Sequence, residues 1–293
     1  MSRLYMNYIL LAVCVTLVGV QSLLHKQYAI ESHDPISVHL FNLFAAVASV
    51  ITVLAAVLIS GDGLTAHTPT IIYGVIFGIG FVVTTSALNI CIESGSMSLT
   101  NLIMSFSVVL PTIWAVLFLG DRFRLTTGIG FVLLVFSLFL FNYRNETLEV
   151  NRKWLIWVII LFAANGGCAV MQKIHQTDYP GLYQREYLLI GMSIYAAANL
   201  FIVLFYKDKS GLKNAVKYGI LLAAPEGVAN VIANMLVMML NSMISATVEY
   251  PAVAAGSIIW AFIWAVFIYK EKMSKIQTAG VVIAVASIII LNI

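Results

Sequence analysis

Charged residues are scarce in this chain: 13 acidic and 16 basic side chains make up 10% of 293 residues, while 61% are hydrophobic. A soluble domain carries roughly 25% charge and 45–50% apolar residues, so a water-soluble globule is excluded. The net charge of +3 is small and the basic residues stand in short connectors rather than in one patch, which leaves no footprint for nucleic acid. Only three cysteines occur, Cys14, Cys91 and Cys168, each alone among apolar residues without CxxC or Cys/His spacing. They read as small core hydrophobes, and no metal or cofactor is implied. All five Asp residues, at 34, 62, 121, 178 and 208, fall in connectors, and no HExxH or Ser/His pairing lies within an apolar segment. That argues against an intramembrane enzyme. A receptor needs a soluble output domain or large loops, and the sequence has room for neither. No stretch is rich enough in Pro, Ser or charge to form a disordered tail.

Long apolar runs fill the space instead. At about 20 residues per span, ten are expected, near residues 4–24, 36–60, 70–92, 97–118, 125–142, 154–172, 187–206, 217–240, 243–268 and 275–292. The first run follows Arg3 in the manner of a secretion signal, but it is as long as a span and no small-residue cleavage site closes it, so it reads as the first helix. The expected fold is an all-α integral membrane protein, multi-pass, with nearly all of the chain in or beside the bilayer.

Two halves of the sequence echo one another. Gly19 and Lys26 followed by Pro35 match Gly166 and Lys173 followed by Pro180; Tyr73-Gly74 matches Tyr218-Gly219; Trp114 opens a run like the one Trp264 opens. Asp121, Gly130 and Asn142 recur as Glu271, Gly280 and Asn292 with the same spacing. The chain therefore reads as two copies, 1–145 and 152–293. Five spans per copy is an odd number, so the second copy is expected to be inverted, the arrangement that lets a transporter expose a central site to either side in turn. Five basic residues (Arg3, Arg122, Arg124, Lys173, Arg185) fall on the side of the termini and eleven on the other, which places the termini outside the cytoplasm.

The polar residues inside these runs are few enough to weigh one by one. Residues 225–264 hold two carboxylates, Glu226 and Glu249, in segments otherwise suited to lipid. Glu226, Asn230, Asn234 and Asn241 lie on one helical face, and Thr85, Asn89 and Ser96 occupy the matching positions of the first copy. The acids break the symmetry, since Phe81 matches Glu226 and Met238 matches Glu93. A charge at mid-membrane depth costs roughly 3 kcal/mol or more and normally faces a partner, a cavity or a proton path. Glu226 and Glu249 are the leading candidates to bind a substrate or a proton, with Asn230, Asn234, Asn89, Thr85 and Asn101 around them. In the bland alternative the acids only bond neighbouring helices. Tyr250, Trp260 and Trp264 share a helix with Glu249 and suit a bound ammonium through cation–π attraction, although packing explains them as well. Gln21 and His25, with Asn165 and Gln172, share faces with Lys26 and Lys173 and are candidate hydrogen-bonding groups. The two lysines read as helix-end anchors, or as anion ligands if turned inward. The triplet at residues 145–147 matches a glycosylation sequon and carries no weight.

The late segments of each half, Leu110-Pro111-Thr112 through Gly120-Asp121-Arg122 to Gly130, and Tyr269-Lys270-Glu271-Lys272 to Gly280, carry a resemblance to the drug/metabolite transporter superfamily. The chain resembles its bacterial EamA type of ten helices over nearly its whole length. The resemblance implies a bacterial cell membrane, and a cavity enclosed by spans 1, 3, 4, 6, 8 and 9 with spans 5 and 10 peripheral. The chain departs from it where Ala261 stands opposite Pro111 and a proline comes earlier, at Pro251. Nucleotide-sugar members of the superfamily usually have cytosolic termini, against the charge count. The expected function is secondary transport of a small molecule, an organic cation or amine coupled to protons; the alternative is a neutral or zwitterionic metabolite, with both acids structural.

Overall fold

The computed structural model of the protein describes residues 2–32, 34, 36–61, 63–95, 97–143 and 151–291. Pro35, Ser96, the triplet at 145–147 and Asn292, all used above, lie outside them. Every regular element among the described residues is a helix. The first half holds α1 (Ser2–Glu31), α2 (Ser37–Ser60), α3 (Thr68–Ser94), α4 (Met97–Phe106), α5 (Val109–Phe118) and α6 (Leu125–Phe141). The second holds α7 (Arg152–Asp178), α8 (Gln184–Phe205), α9 (Leu212–Tyr218), α10 (Ala224–Asn241), α11 (Ala246–Ile263) and α12 (Lys275–Leu291). A π-helical turn at Gly219–Ala223 joins α9 to α10, and a second, Trp264–Ile268, extends α11.

Eight helical segments are long and apolar enough to cross a bilayer, counting Leu99–Phe118, Leu212–Asn241 and Ala246–Ile268 as one segment each; α6 and α12 are apolar but shorter. Large apolar side chains such as Leu58, Ile59, Phe201 and Phe205 stand exposed on the outside of the bundle, where a soluble protein would be polar. The chain is all-α, and its helices fit a multi-pass membrane protein.

Two prolines explain where the helices depart from regularity. Pro111 has no N–H to offer Ser107, so the carbonyl of Ser107 takes its bond from Leu110 (3.0 Å) instead. The span that the sequence reads as one helix over 97–118 therefore breaks at Ser107 and Val108 into α4 and α5. Pro225 likewise cannot bond the carbonyl one turn before it, and the backbone widens into the π turn just ahead of α10. Elsewhere the helices run longer than hydropathy alone marks: α1 continues to Glu31 and α7 to Asp178. Lys26 and Lys173 thus lie within their helices, not at the ends where the sequence reading puts them.

In the bundle α3 packs on α7 and α8, α10 packs on α1 and α2, α2 also meets α8, α11 meets α1, and α6 lies along α12. The tightest crossing is α2 on α10. A Cβ on Gly227 would stand 2.0 Å from the carbonyl oxygen of Ala45, and the Ser49 hydroxyl reaches the Gly227 carbonyl at 2.8 Å. Gly227→Ala must push the two helices apart and is expected to cost about 1–3 kcal/mol, read as a lower unfolding midpoint in detergent. Gly167→Ala, where a Cβ meets nothing within 4 Å, is the control that leaves the midpoint unchanged or raises it.

Candidate functional site

The π turn and Pro225 set the rotation of α10, and they bring Glu226 and Asn230 to the inside of the bundle. There a cavity of about 280 Å³ lies between α1, α2, α3, α4, α8 and α10. Glu226 is 8% exposed, lines this cavity, and its carboxylate has no hydrogen-bond partner among the described residues. Asn42 of α2 is equally buried, lines the same space, and its amide is also unbonded. The walls are aromatic: Phe81 meets Tyr195 edge-on at 4.8 Å, and Phe41 carries the His25 ring at 4.6 Å. Met104 and Met192 add adaptable apolar surface.

This cavity runs on into a second space of about 250 Å³, sharing with it His25, Phe41, Asn42, Thr85 and Leu88. Tyr28, Ser32, Ser37 and Asn89 line the outer part, so the passage opens at the end of the bundle where α1 finishes and α2 begins. Asn151, which bonds the Ser94 carbonyl at the end of α3, belongs to the same end. At the opposite end, a separate cleft of about 480 Å³ lies among Asn7, Tyr8, Arg122, Arg124 and Ser245. It is larger but contains no buried, unpartnered acid. Its Asp121 accepts from the Ala246 N–H at 2.8 Å and so caps α11.

Four amides form a chain that runs from the cavity wall into the bundle behind it. Gln172 Nε2 donates to Asn234 Oδ1 (2.7 Å), Asn234 Nδ2 to Asn230 Oδ1 (3.2 Å), and Asn230 Nδ2 to Gln21 Oε1 (2.9 Å). Asn234 Nδ2 also reaches the Asn230 backbone carbonyl at 2.9 Å.

The structure gathers only part of the set expected from sequence. Glu226, Asn230, Gln21 and Thr85 line the inner cavity, Asn89 lines its outer part, and Asn234 stands one amide behind. Glu249 is elsewhere: it has no exposed surface, both carboxylate oxygens lack a partner among the described residues, and Lys173 and Asp121 are the charged groups near enough to act on it. Tyr250 is tied down by its hydroxyl, which donates to the Ala169 carbonyl (2.9 Å) and accepts from Asn241 (3.1 Å). Trp260 stacks on Trp264 at 4.7 Å and covers Gly19, and it lines neither part of the passage. It lies three turns along α11 from Glu249, roughly 16 Å away, so no aromatic cage forms around that acid. Asn165 bonds Ser107 and the Met104 carbonyl, closing the break before α5. Asn101 sits half-buried on α4 and lines neither space.

Sequence reasoning also overlooked residues. Asn42 and Phe41 of α2, and Met192 and Tyr195 of α8, belong to the second and seventh spans, outside the set implied by the family resemblance. Spans six and nine, α7 and α11, give no residue to the cavity wall. A lone Asn in the apolar α2 was the available signal. All three cysteines are free and buried, as read from the sequence. Lys173 is buried, and donates to the carbonyls of Asn241 (2.9 Å) and Ile244 (3.4 Å) at the end of α10; it does not reach the interface as an anchor. Lys26 pairs with Glu271.

No family model matches the sequence, and none of the curated proteins does. Among solved structures 28 chains match. One, described only as the crystal structure of a protein, superimposes with a TM-score of 0.72 over 97% of this chain and 98% of its own, at 14% identity. That similarity concerns the fold alone.

Proposed function

We propose that the chain is a secondary transporter carrying a small organic cation or amine across the membrane by alternating access, with Glu226 as the group that binds it. The observation that carries this reading is a free carboxylate at the floor of an aromatic and amide-lined cavity open toward one end of the bundle. A buried acid without a partner is costly, and a cationic ligand supplies the missing charge.

The reading takes the chain as ten spans in two inverted halves, and two features support that. The helix pairings keep their pattern when the halves are exchanged: α3 with α7 and α8 answers to α10 with α1 and α2. Equivalent close contacts also occur, Gly19 under Trp260 and Gly166 under Leu110. The ties at equivalent positions, however, differ. Trp264 Nε1 donates to the Gly19 carbonyl at 2.7 Å, whereas Trp114 Nε1 is buried without a partner among the described residues. Lys26 meets Glu271 at one end, whereas Lys173 grips carbonyl groups at the other. Unequal ties on equivalent positions are expected of an inverted repeat resting in one of its two states. By the count of basic residues, the open end faces the cytoplasm and the protein resides in a cell membrane.

The test is thermal unfolding of detergent-purified protein with organic cations, zwitterions, neutral bases and anions at pH 6 and pH 8. A ligand at 100 times its dissociation constant adds about 2.7 kcal/mol. Cations are expected to stabilise, more at pH 8, where fewer protons compete for the carboxylate. The amide chain behind the cavity favours a second reading, a neutral or zwitterionic metabolite; stabilisation by those compounds alone, equal at both pH values, would establish it instead.

A further inference from the structure

We infer that Gln21 presents a fixed amide N–H donor beside the Glu226 carboxylate, and that the ligand is an amine carrying an uncharged hydrogen-bond acceptor close to its nitrogen. This rests on the cavity being the cation site proposed above.

The polarity of the amide chain follows from one backbone group. The Asn230 carbonyl can only accept, so the Asn234 atom 2.9 Å from it is the amide nitrogen. Asn234 Oδ1 therefore faces Gln172 and accepts from it (2.7 Å), and Asn234 Nδ2 also requires an oxygen on Asn230 at 3.2 Å. With Asn230 oriented that way, its nitrogen faces Gln21 and takes the Gln21 oxygen as acceptor at 2.9 Å. What remains at the cavity end is Gln21 Nε2, a donor with no partner among the described residues. A flip of any one amide would set two donors or two acceptors face to face. The donor lies close to the acid, because Asn230 is one helical turn from Glu226 on the same face of α10.

A ligand matched to this pair places its ammonium on Glu226 and an ether, ester or amide oxygen on Gln21. A zwitterion offers an acceptor too, but its second charge would leave a net negative charge in the buried cavity. Gln21 is thus the specificity residue, and Asn230, Asn234 and Gln172 position its donor.

The probes are phenylalanine methyl ester, 2-phenylethylamine and phenylalanine, titrated against detergent-purified protein by thermal shift. The ester is expected to bind about tenfold more tightly than the amine, the worth of one added hydrogen bond to a buried donor, and more tightly than the zwitterion. Gln21→Met should bring the ester and the amine to equal affinity. Asn234→Asp, which cannot donate to Asn230 and lies behind the wall, should shrink the same ratio; a merely structural role would weaken both ligands together. Equal binding of ester and amine by the unaltered protein overturns the inference while leaving the cation site standing. No stabilisation by either amine overturns both.

Discussion

Glu226→Gln is expected to abolish cation binding while leaving the empty protein at least as stable as before. The carboxylate lines the cavity at 8% exposure and receives no hydrogen bond from the described residues. Its neutral isostere keeps the shape of the wall and removes only the charge. Losing one member of a buried, charge-assisted pair costs about 2–5 kcal/mol, so the affinity for 2-phenylethylamine should fall about thirtyfold or more. The unfolding midpoint without ligand should hold or rise, because a buried charge lacking any partner opposes folding. In proteoliposomes uptake of the amine should stop, and the difference in binding between pH 6 and pH 8 should vanish with the titrating group. A variant that binds the amine as well as the parent, with the same pH dependence, would assign Glu226 to the framework and move recognition to the amides.

What the sequence made legible here is largely what periodicity encodes. The apolar runs mark the eight long apolar segments found among the described residues, and the i, i+4 spacing of Glu226 and Asn230 gives the face of α10 that the cavity uses. Spacing states which residues share a face but not what the face meets. Glu226 and Glu249 look alike in sequence, yet one opens on a cavity and the other is fully buried, with Lys173 and Asp121 as the charged groups that act on it. Asn230 and Asn165 look alike too, yet one lines the cavity and the other mends a break made by Pro111. The contribution of α2 and α8 was hidden because Asn42 and Tyr195 are isolated polar groups in apolar helices, with no repeat to raise them above background. The π turn before Pro225 was likewise hidden. Proline signals a lost hydrogen bond, but the way the backbone absorbs that loss is set by the neighbours, here Phe44 packed on Gly219.

At the other end of the bundle, Lys173→Met is expected to be the most destabilising single change, and Glu249→Gln in the same chain should restore part of the loss. Lys173 is 5% exposed and holds the last carbonyl of α10, that of Asn241, and the Ile244 carbonyl in the turn that follows. It is also the cation whose charge acts on Glu249, and the two oxygens of that acid meet no donor among the described residues. Replacing the lysine by methionine leaves those carbonyls without their donor and the acid as an uncompensated buried charge, a loss of about 3–5 kcal/mol. Glu249→Gln alone should cost much less, since Lys173 keeps its carbonyl partners and an unbonded carboxylate is removed. The double variant should therefore be more stable than Lys173→Met alone, by about 1–3 kcal/mol of coupling. Thermal unfolding of the four proteins in detergent measures the cycle. If the double variant falls as far as the sum of the single changes, the acid and the lysine are independent, and Glu249 needs another account. If the coupling is present while Glu249→Gln leaves amine affinity intact, the two acids divide the work: Glu226 binds the cation, and Glu249 with Lys173 stabilises the opposite end of the bundle.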